Sequence, residues 1–459
     1  MITPRIVPPL DPDFRPVVLA NHTFLDTVRS SGDGVPLMIA LERESGAVTR
    51  FETEVFSDGA KGSPANFFYV ERLVKTLLWQ RGGWKITIKG PKSVGECIKE
   101  AYAPGGDREF DADFMGSVYG RPFTVEVAEA GEIPTIREKV SQLGGGLTGC
   151  RIGFDLGASD LKVAAVIDGE TAFAEEIAWN PGKQRDPAYH YDIIMDSLKR
   201  AAVHMPRVDC IGGSAAGIYI ANRVRVASLF RGVPMDLFRE RVEEMFLRIK
   251  DEWAVPFVLV NDGEVAALAG AMWLGDSSVL GIALGSSEAG GYVNREGKIT
   301  GWLDELAFVP LDLNPDAPVD EWSGDRGCGA QYLSQQAVIR LAPRARIGLD
   351  ENRTPAENLR FIQDLLNEGD ERAKLIFETI GCYVGYAIAS YADLYDIRHV
   401  LLLGRVTSGK GGDIILEHAE KVLRSFPKLV NHIESHMPGE AERRVGQAVA
   451  AASLAILEK

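Results

Sequence analysis

Cysteine is scarce in this chain, with five in 459 positions: Cys97, Cys150, Cys210, Cys328 and Cys382. They are odd in number and never closely spaced. That excludes a disulfide scaffold or a zinc ribbon and leads us to expect reduced thiols in a cytoplasmic protein. Histidine is nearly as rare, with seven and one close pair, His432 and His436 in HIESH. The metallopeptidase spacing needs Glu directly after the first His, and here Ile433 stands there. The pair is expected at a solvated helix end, without a metal. A membrane span needs an uncharged apolar run of about 18 or more residues. The chain lacks one. The opening MITPRIVPPLDPDFRP also lacks the apolar stretch of a secretory signal.

Surplus positive charge is absent too. The formal net charge is −15. Residues 1–150 carry 17 Lys and Arg against 20 Asp and Glu, and the rest carries 33 against 45. A field of that sign repels nucleic acid and anionic membranes, so neither is an expected partner. A basic helix-turn-helix at the N-terminus is likewise not expected.

What is present is the composition of a globular protein, 46% apolar and 25% charged. The length predicts two or three domains. Gly144, Gly145, Gly146 and Gly149 make a flexible break just before the apolar strand RIGFDLG. Upstream, residues 36–56 read as strand, Ser45-Gly46 turn and strand, 67–80 as an amphipathic helix, and KITIKG as a strand. This α+β segment carries no motif tied to chemistry. Its hairpin matches in pattern the later IGFDLGASDLKVAAVIDGE, which raises an internal duplication as one reading.

Downstream, RIGFDLG, LKVAAVIDG and TAFAEEIAW predict three consecutive antiparallel strands. A helix over 189–203, CIGGSAAGI as a strand and its loop, and a helix over 235–250 follow. FVLVND then runs as a buried strand into a helix. SVLGIALG and GGYVNREGKIT are strands, the second with a turn at Asn294–Gly297. A helix over 371–393, the strand HVLLLG and helices over about 412–424 and 439–457 close the chain. Hairpins followed by β-α-β alternation, given twice, predict two α/β lobes with a cleft between them.

Four places carry chemistry. In Asp155-Leu156-Gly157-Ala158-Ser159-Asp160-Leu161-Lys162, an Asp ends a buried strand and small residues expose backbone N–H groups beside a hydroxyl. Such a turn cradles phosphate oxygens while the carboxylate holds hydrated Mg²⁺. An ordinary hairpin whose Asp caps the turn would read the same. Asn261-Asp262 end a strand where a helix begins. Asp262 is there either a helix cap or a base that accepts a proton from an attacking hydroxyl. Gly285-Ser286-Ser287-Glu288 is a small-residue loop able to wrap a phosphate. Gly404, followed by Ser408-Gly409-Lys410-Gly411-Gly412, is a strand-to-helix crossing able to host adenosine or phosphate.

In this order and spacing, these elements resemble the ROK family of sugar kinases and repressors, within the actin-like ATPase superfamily. FDLGASDLK, VDCIGGSAAG, PFVLVNDGEVAALA, IALGSSEAGGYVNREGKITG, DELAF, HVLLLGRVTSG and GQAVAAASLA carry the resemblance, over about residues 150–459. It implies a two-lobed actin-like, ribonuclease H-like α/β fold with an added N-terminal α+β domain. The expected parts are 1–146, then 150–256 with 439–459, then 257–438. It implies ATP and Mg²⁺ as cofactors, a sugar or related polyol as partner, and a homodimer. By resemblance, Asp155 organises Mg²⁺ and phosphate with Gly157, Ser159, Lys162, Gly285, Ser286, Gly404 and Ser408. Asn261 and Glu305 hold the sugar, and Asp262 is the catalytic base.

The departures from the family pattern are specific. Glu288 is expected to set a negative charge where nucleotide phosphates lie. Ala307-Phe308 replace the family's Gly-His, and Cys328 alone of the zinc cysteines is in place, so no structural zinc is expected. Glu264 replaces an Asn, and the sugar-binding Asn expected after SAAG is not evident. Two functions follow: a carbohydrate kinase of altered specificity, or a non-catalytic sugar or nucleotide sensor. From the glycine break, limited proteolysis near Gly144–Gly149 is expected to release a folded body of about 310 residues.

Overall fold

The structure is a computed structural model that describes residues 4–128, 133–138, 146–429 and 432–457. Gly144 and Gly145 of the predicted break lie outside the described residues. The chain opens with helix α1 (Val17–Ser31), strands β1 (Gly34–Glu42) and β2 (Val48–Phe56), helix α2 (Asn66–Arg81) and β3 (Lys85–Lys89). Helices α3 (Lys92–Ala101) and α4 (Glu109–Tyr119) and strand β4 (Thr124–Val127) follow. Next come β5 (Cys150–Leu156), β6 (Asp160–Ile167), β7 (Glu170–Ala178), α5 (Pro187–Ala202) and β8 (Cys210–Ala215). The small hairpin β9 (Ile218–Ile220) and β10 (Arg223–Val226) leads through α6 (Met235–Leu237) and α7 (Met245–Trp253) to β11 (Phe257–Asn261) and α8 (Asp262–Leu274). Strands β12 (Val279–Leu284) and β13 (Glu288–Val293) precede α9 (Gln335–Arg344), α10 (Pro355–Asn367) and α11 (Glu371–Ala392). The chain closes with β14 (His399–Leu403), α12 (Lys410–Leu423), β15 (Glu434–His436) and α13 (Glu440–Ala452).

Compactness divides these elements into two units. One comprises residues 1–139, 282–290 and 302–437; the other comprises 140–281, 291–301 and 438–459. The three-part division expected from the sequence is retained as a proposal about how the chain is assembled.

The second unit is built on a five-stranded sheet of order β11-β8-β5-β6-β7. Strands β5, β8 and β11 are parallel, and β6 and β7 add antiparallel. Side chains alternate across a strand. Ile152, Phe154 and Leu156 of β5 therefore enter one core, with Leu161, Val163, Ile194, Leu198 and Phe246. Arg151, Gly153 and Asp155 face the other way. There α13 lies so close that a Cβ on Gly153 would sit 1.8 Å from the Ala448 carbonyl oxygen. A Cβ on Gly212 would meet the Ala451 oxygen at the same distance. Arg151 seals the end of this helix by donating to the Ala452 and Ala455 carbonyls at 3.2 and 2.7 Å.

The predicted helix over 235–250 is interrupted. One turn (Met235–Leu237) widens into a π turn (Phe238–Val242), and the regular helix restarts at Met245. The wide turn leaves the Glu243 carbonyl to accept from the Val224 N–H of β10 at 3.0 Å. The duplication reading also fails. In the N-terminal sheet, of order β2-β1-β3-β4, β1 pairs with β3 antiparallel. The matching neighbour of β5, strand β8, runs parallel.

In the first unit, α11 is long and apolar enough to cross a membrane, but 83% of its apolar window is buried in the protein. Gly381 and Gly385 let α12 approach it; Cβ atoms there would come within 2.6 Å of His418 and 2.5 Å of Val422. The N-terminal helices join this unit through buried charges. Lys75 Nζ lies 3.1 Å from Asp111 and 3.0 Å from Asp325. Arg72 and Arg108 also reach Asp325, at 3.1 and 2.8 Å, and both bind Glu71. Trp79 Nε1 donates to Asp111 at 2.6 Å.

Three cations thus balance three carboxylates out of water. Removing one member leaves an uncompensated buried charge, so Lys75→Met should cost about 3–5 kcal/mol in chemical denaturation. A loss under about 1 kcal/mol would mean that the cluster is not holding the unit together. These contacts join residues before 139 to residues after 302, so the release expected from the glycine break is revised. A chain nicked at 146–149 should elute from size exclusion as one particle and separate only in denaturant.

Candidate active site

The residues expected to bind and react fall into two groups, one on each unit. In the second unit, three parallel strands end in one layer, with Asp155 opposite Ser214, and Leu156 and Asn261 both opposite Ala215. Ligands of open α/β sheets bind beyond such carboxyl ends. Asp155 is buried, and its Oδ1 accepts from Ser214 Oγ at 2.6 Å. Burial pushes its pKa up, against the pull of Ser214 and of Lys162, whose Nζ lies 3.7 Å away. Lys162 sits nearer Asp160, at 3.0 Å. Between the two strands, Ala158 and Ser159 form an exposed turn. Its shape is fixed by Trp179, which donates from Nε1 to the Gly157 carbonyl at 2.8 Å and from its backbone to that of Ser159 at 3.1 Å.

Asn261, not Asp262, is the cap of α8. Its Oδ1 accepts from the Gly263 N–H at 2.7 Å, while its amide donates to the Gly217 carbonyl at 2.8 Å. The Asn amide carries two N–H groups, so one remains for a further partner. Asp262 is the first residue of the helix proper. Burial, and secondarily the charge of Asp155, push its carboxyl up to about 6. The helix N-terminus pulls the other way, through the Gly263 N–H at 3.0 Å. A carboxylate with that pKa is ionised at pH 7 and is still a far better proton acceptor than an exposed Asp.

The other group lies on the first unit. Gly285 turns β12 out of its strand; its carbonyl accepts from the Gln335 N–H at 2.9 Å, and Ser286 and Ser287 are exposed. Gly404, at φ 97°, closes against this strand, because a Cβ would lie 2.3 Å from the Leu284 oxygen. After it, Ser408 and Gly409 lead into α12, whose first turn has no side-chain cap. Free helical N–H groups of this kind attract anions.

Glu288 departs from expectation. It is fully buried rather than aimed at a phosphate, and Tyr391 donates to its Oε1 at 3.0 Å. Burial pushes its carboxyl up to about 8, so it is mainly protonated at pH 7 and puts no full charge beside the loop. Gly329 is required next to it, since a Cβ there would fall 2.1 Å from Glu288 Oε2.

The segment carrying Glu305 is held by the N-terminal helix α2. Asp304, at φ 49°, and Glu305 donate their N–H groups to the Gln80 and Trp79 carbonyls at 2.9 and 3.1 Å. Phe308 stacks on Trp79 with centroids 4.1 Å apart, in a cluster with Phe110 and Phe114. That explains Ala307-Phe308: the position is filled by packing. Cys328 is buried and its thiol is pushed up to about 12, the opposite of a metal-binding thiolate. Nothing in the sequence singles out Ser214, Trp179 and Asp304, whose roles arise only from strand register or distant contacts.

Solved structures share this arrangement of elements. A ROK hexokinase from Thermus thermophilus aligns over 66% of this chain and 97% of its own, with a TM-score of 0.52 and 20% identity. The chain has the fold of the ROK sugar kinases. A ROK family transcriptional regulator, described as a homolog of the E. coli MLC protein, matches the ROK fold here over 79% of the chain and 88% of its own. Its TM-score is 0.52 and its identity 17%. No protein-family model matches the sequence, and no curated protein does.

Glu288 sets a pH test. Between its ordinary value near 4.5 and about 8, the folded chain holds a proton that the unfolded chain releases. Stability should therefore fall across that window as pH rises, by on the order of 5 kcal/mol at about 1.4 kcal/mol per pH unit. Glu288→Gln should flatten this slope in urea titrations at pH 5–9. An unchanged slope would mean that Glu288 is ionised in the folded protein.

Proposed function

We propose that the protein transfers the γ-phosphoryl group of ATP to a hydroxyl of a sugar or related polyol. The observation that carries this reading is the placement of two carboxylates, Asp155 and Asp262, at the carboxyl ends of the parallel strands β5 and β11. Asp262 takes the proton of the acceptor hydroxyl as its oxygen forms the new bond to phosphorus. The bond from phosphorus to the β-bridging oxygen breaks, and ADP leaves. Asn261 and Glu305 orient the acceptor. The exposed turns at Gly157–Ser159, Gly285–Ser286 and Gly404–Ser408 supply N–H and hydroxyl donors for phosphate and adenosine.

Asp155 offers a hard carboxylate oxygen of the kind that Mg²⁺ accepts, most of its coordination being left to water and phosphate. When bound, the ion neutralises charge on the transferring phosphoryl group. Ser214 and Lys162 keep the Asp155 carboxylate oriented for it.

A second reading, a non-catalytic sugar or nucleotide sensor, is favoured by the regulator's likeness over 79% of the chain. A coupled ADP-release screen across hexoses, N-acetylhexosamines and polyols separates the two. Turnover supports the kinase. Calorimetric binding of sugar or Mg·ATP without turnover supports the sensor.

For the kinase, Asp262→Asn should slow turnover by about 10²–10⁴-fold and leave substrate affinity within several-fold, since a base acts in the transition state. The wild-type kcat/KM should fall as pH drops through about 6, where Asp262 gains its proton. Full activity in Asp262→Asn would remove it as the base.

A further inference from the structure

The histidine pair expected at a solvated helix end lies elsewhere. His436 is the last residue of strand β15, which pairs parallel with β14 so that His399 stands opposite Glu434 and Leu401 opposite His436. Residues opposite one another, and residues two apart on one strand, share a face of the sheet. His399, Glu434 and His436 therefore all point to the same side. His399 Nδ1 and His436 Nε2 are 3.0 Å apart, and Glu434 Oε2 is 3.9 Å from each. Nothing in the proposed phosphoryl transfer uses these groups.

Two imidazole nitrogens at that distance cannot both carry a proton. Either one donates to the other, or both turn lone pairs on a shared cation. A tetrahedral ion with bonds of about 2.0–2.1 Å holds its ligand atoms about 3.3–3.4 Å apart. The observed triangle of 3.0, 3.9 and 3.9 Å brackets that spacing. The burial gradient also fits. The His399 side chain is 9% exposed and that of His436 23%, so the imidazoles are held by the sheet. The Glu434 carboxylate is 73% exposed and free to swing the few tenths of an ångström needed. Beside Glu434 and His436 lies an open groove of about 410 Å³, lined also by Glu420 and Arg424, through which an ion and water can enter.

We propose that His399 Nδ1, His436 Nε2 and Glu434 form a binding site for a divalent transition-metal ion of the zinc class. Two imidazoles with one carboxylate select zinc, cobalt or nickel over Mg²⁺, which prefers an all-oxygen shell. The ion ties the edge strand β15 to β14 immediately before the chain passes from the first unit into the second, at residue 438.

The test is calorimetric titration of full-length, chelator-treated protein with zinc chloride, with excess Mg²⁺ present to occupy carboxylate sites. One equivalent should bind. His436→Gln should weaken binding at least about 100-fold and Glu434→Gln about 10-fold, because loss of a direct ligand costs at least as much as loss of a supporting one. Cobalt in place of zinc should give visible absorption bands of a low-symmetry site, absent in His436→Gln. Saturating zinc should raise the thermal midpoint of the wild type and not that of the variant. Both substitutions are at partly exposed positions, and circular dichroism checks that each variant is folded. Absence of zinc binding at 100-fold molar excess would overturn the proposal. So would one equivalent that binds His436→Gln and Glu434→Gln as tightly as wild type.

Discussion

Asp325 is the carboxylate around which the first unit is organised. Three cations from the N-terminal helical region, Arg72, Lys75 and Arg108, converge on it within 3.1 Å. Each of these charges has left water, which is tolerable only because Glu71 and Asp111 complete the neutralisation. A hydrophobic cluster tolerates small shifts, whereas this arrangement fixes α2, the start of α4 and the loop before Cys328 in one geometry. Trp79, on the same helix, carries the constraint onward: its carbonyl and ring hold Glu305 and Phe308. The residues before 139 are therefore a working part of the frame that carries the proposed sugar ligand.

Burial sets the chemistry of the carboxylates in opposite ways. Asp262 keeps a partly exposed position and a pKa near 6, which suits the proton acceptor proposed for it. Glu288 is sealed against Tyr391 and Gly329 and is pushed to about 8, which removes it from charge chemistry. The same carboxyl group is therefore left titratable near neutrality or held as a neutral core member, according to its access to water.

Much of the fold was legible in the sequence because its signals are local. RIGFDLG and its two partner strands, the strand-to-helix step at Asn261-Asp262 and the strand HVLLLG all form where periodicity and turn residues put them. The features that local signals do not show depend on residues far away in the chain. Glu288 reads as a loop charge until Tyr391, about a hundred positions later, is seen beside it. Phe308 reads as a lost ligand until Trp79 arrives from the N-terminal helix. His436 reads as helical because three residues are too few to show a strand period, and its partner is His399. The π turn at Phe238–Val242 has no periodic signature of its own.

The close fit of α13 on Gly153 and Gly212 has a consequence for biosynthesis. The sheet of the second unit is complete once residue 261 has left the ribosome, but the helix that covers its glycine-bearing face ends at Ala452. At 5–20 residues per second, that interval lasts roughly 10–40 s. Throughout it, the nascent sheet has one finished core and one open face, with Ala164 and Val166 uncovered and Arg151 lacking the carbonyls it finally binds. Helix α13 thus decides when the second unit becomes native, and a ribosome that stalls before it leaves a sheet built but unroofed.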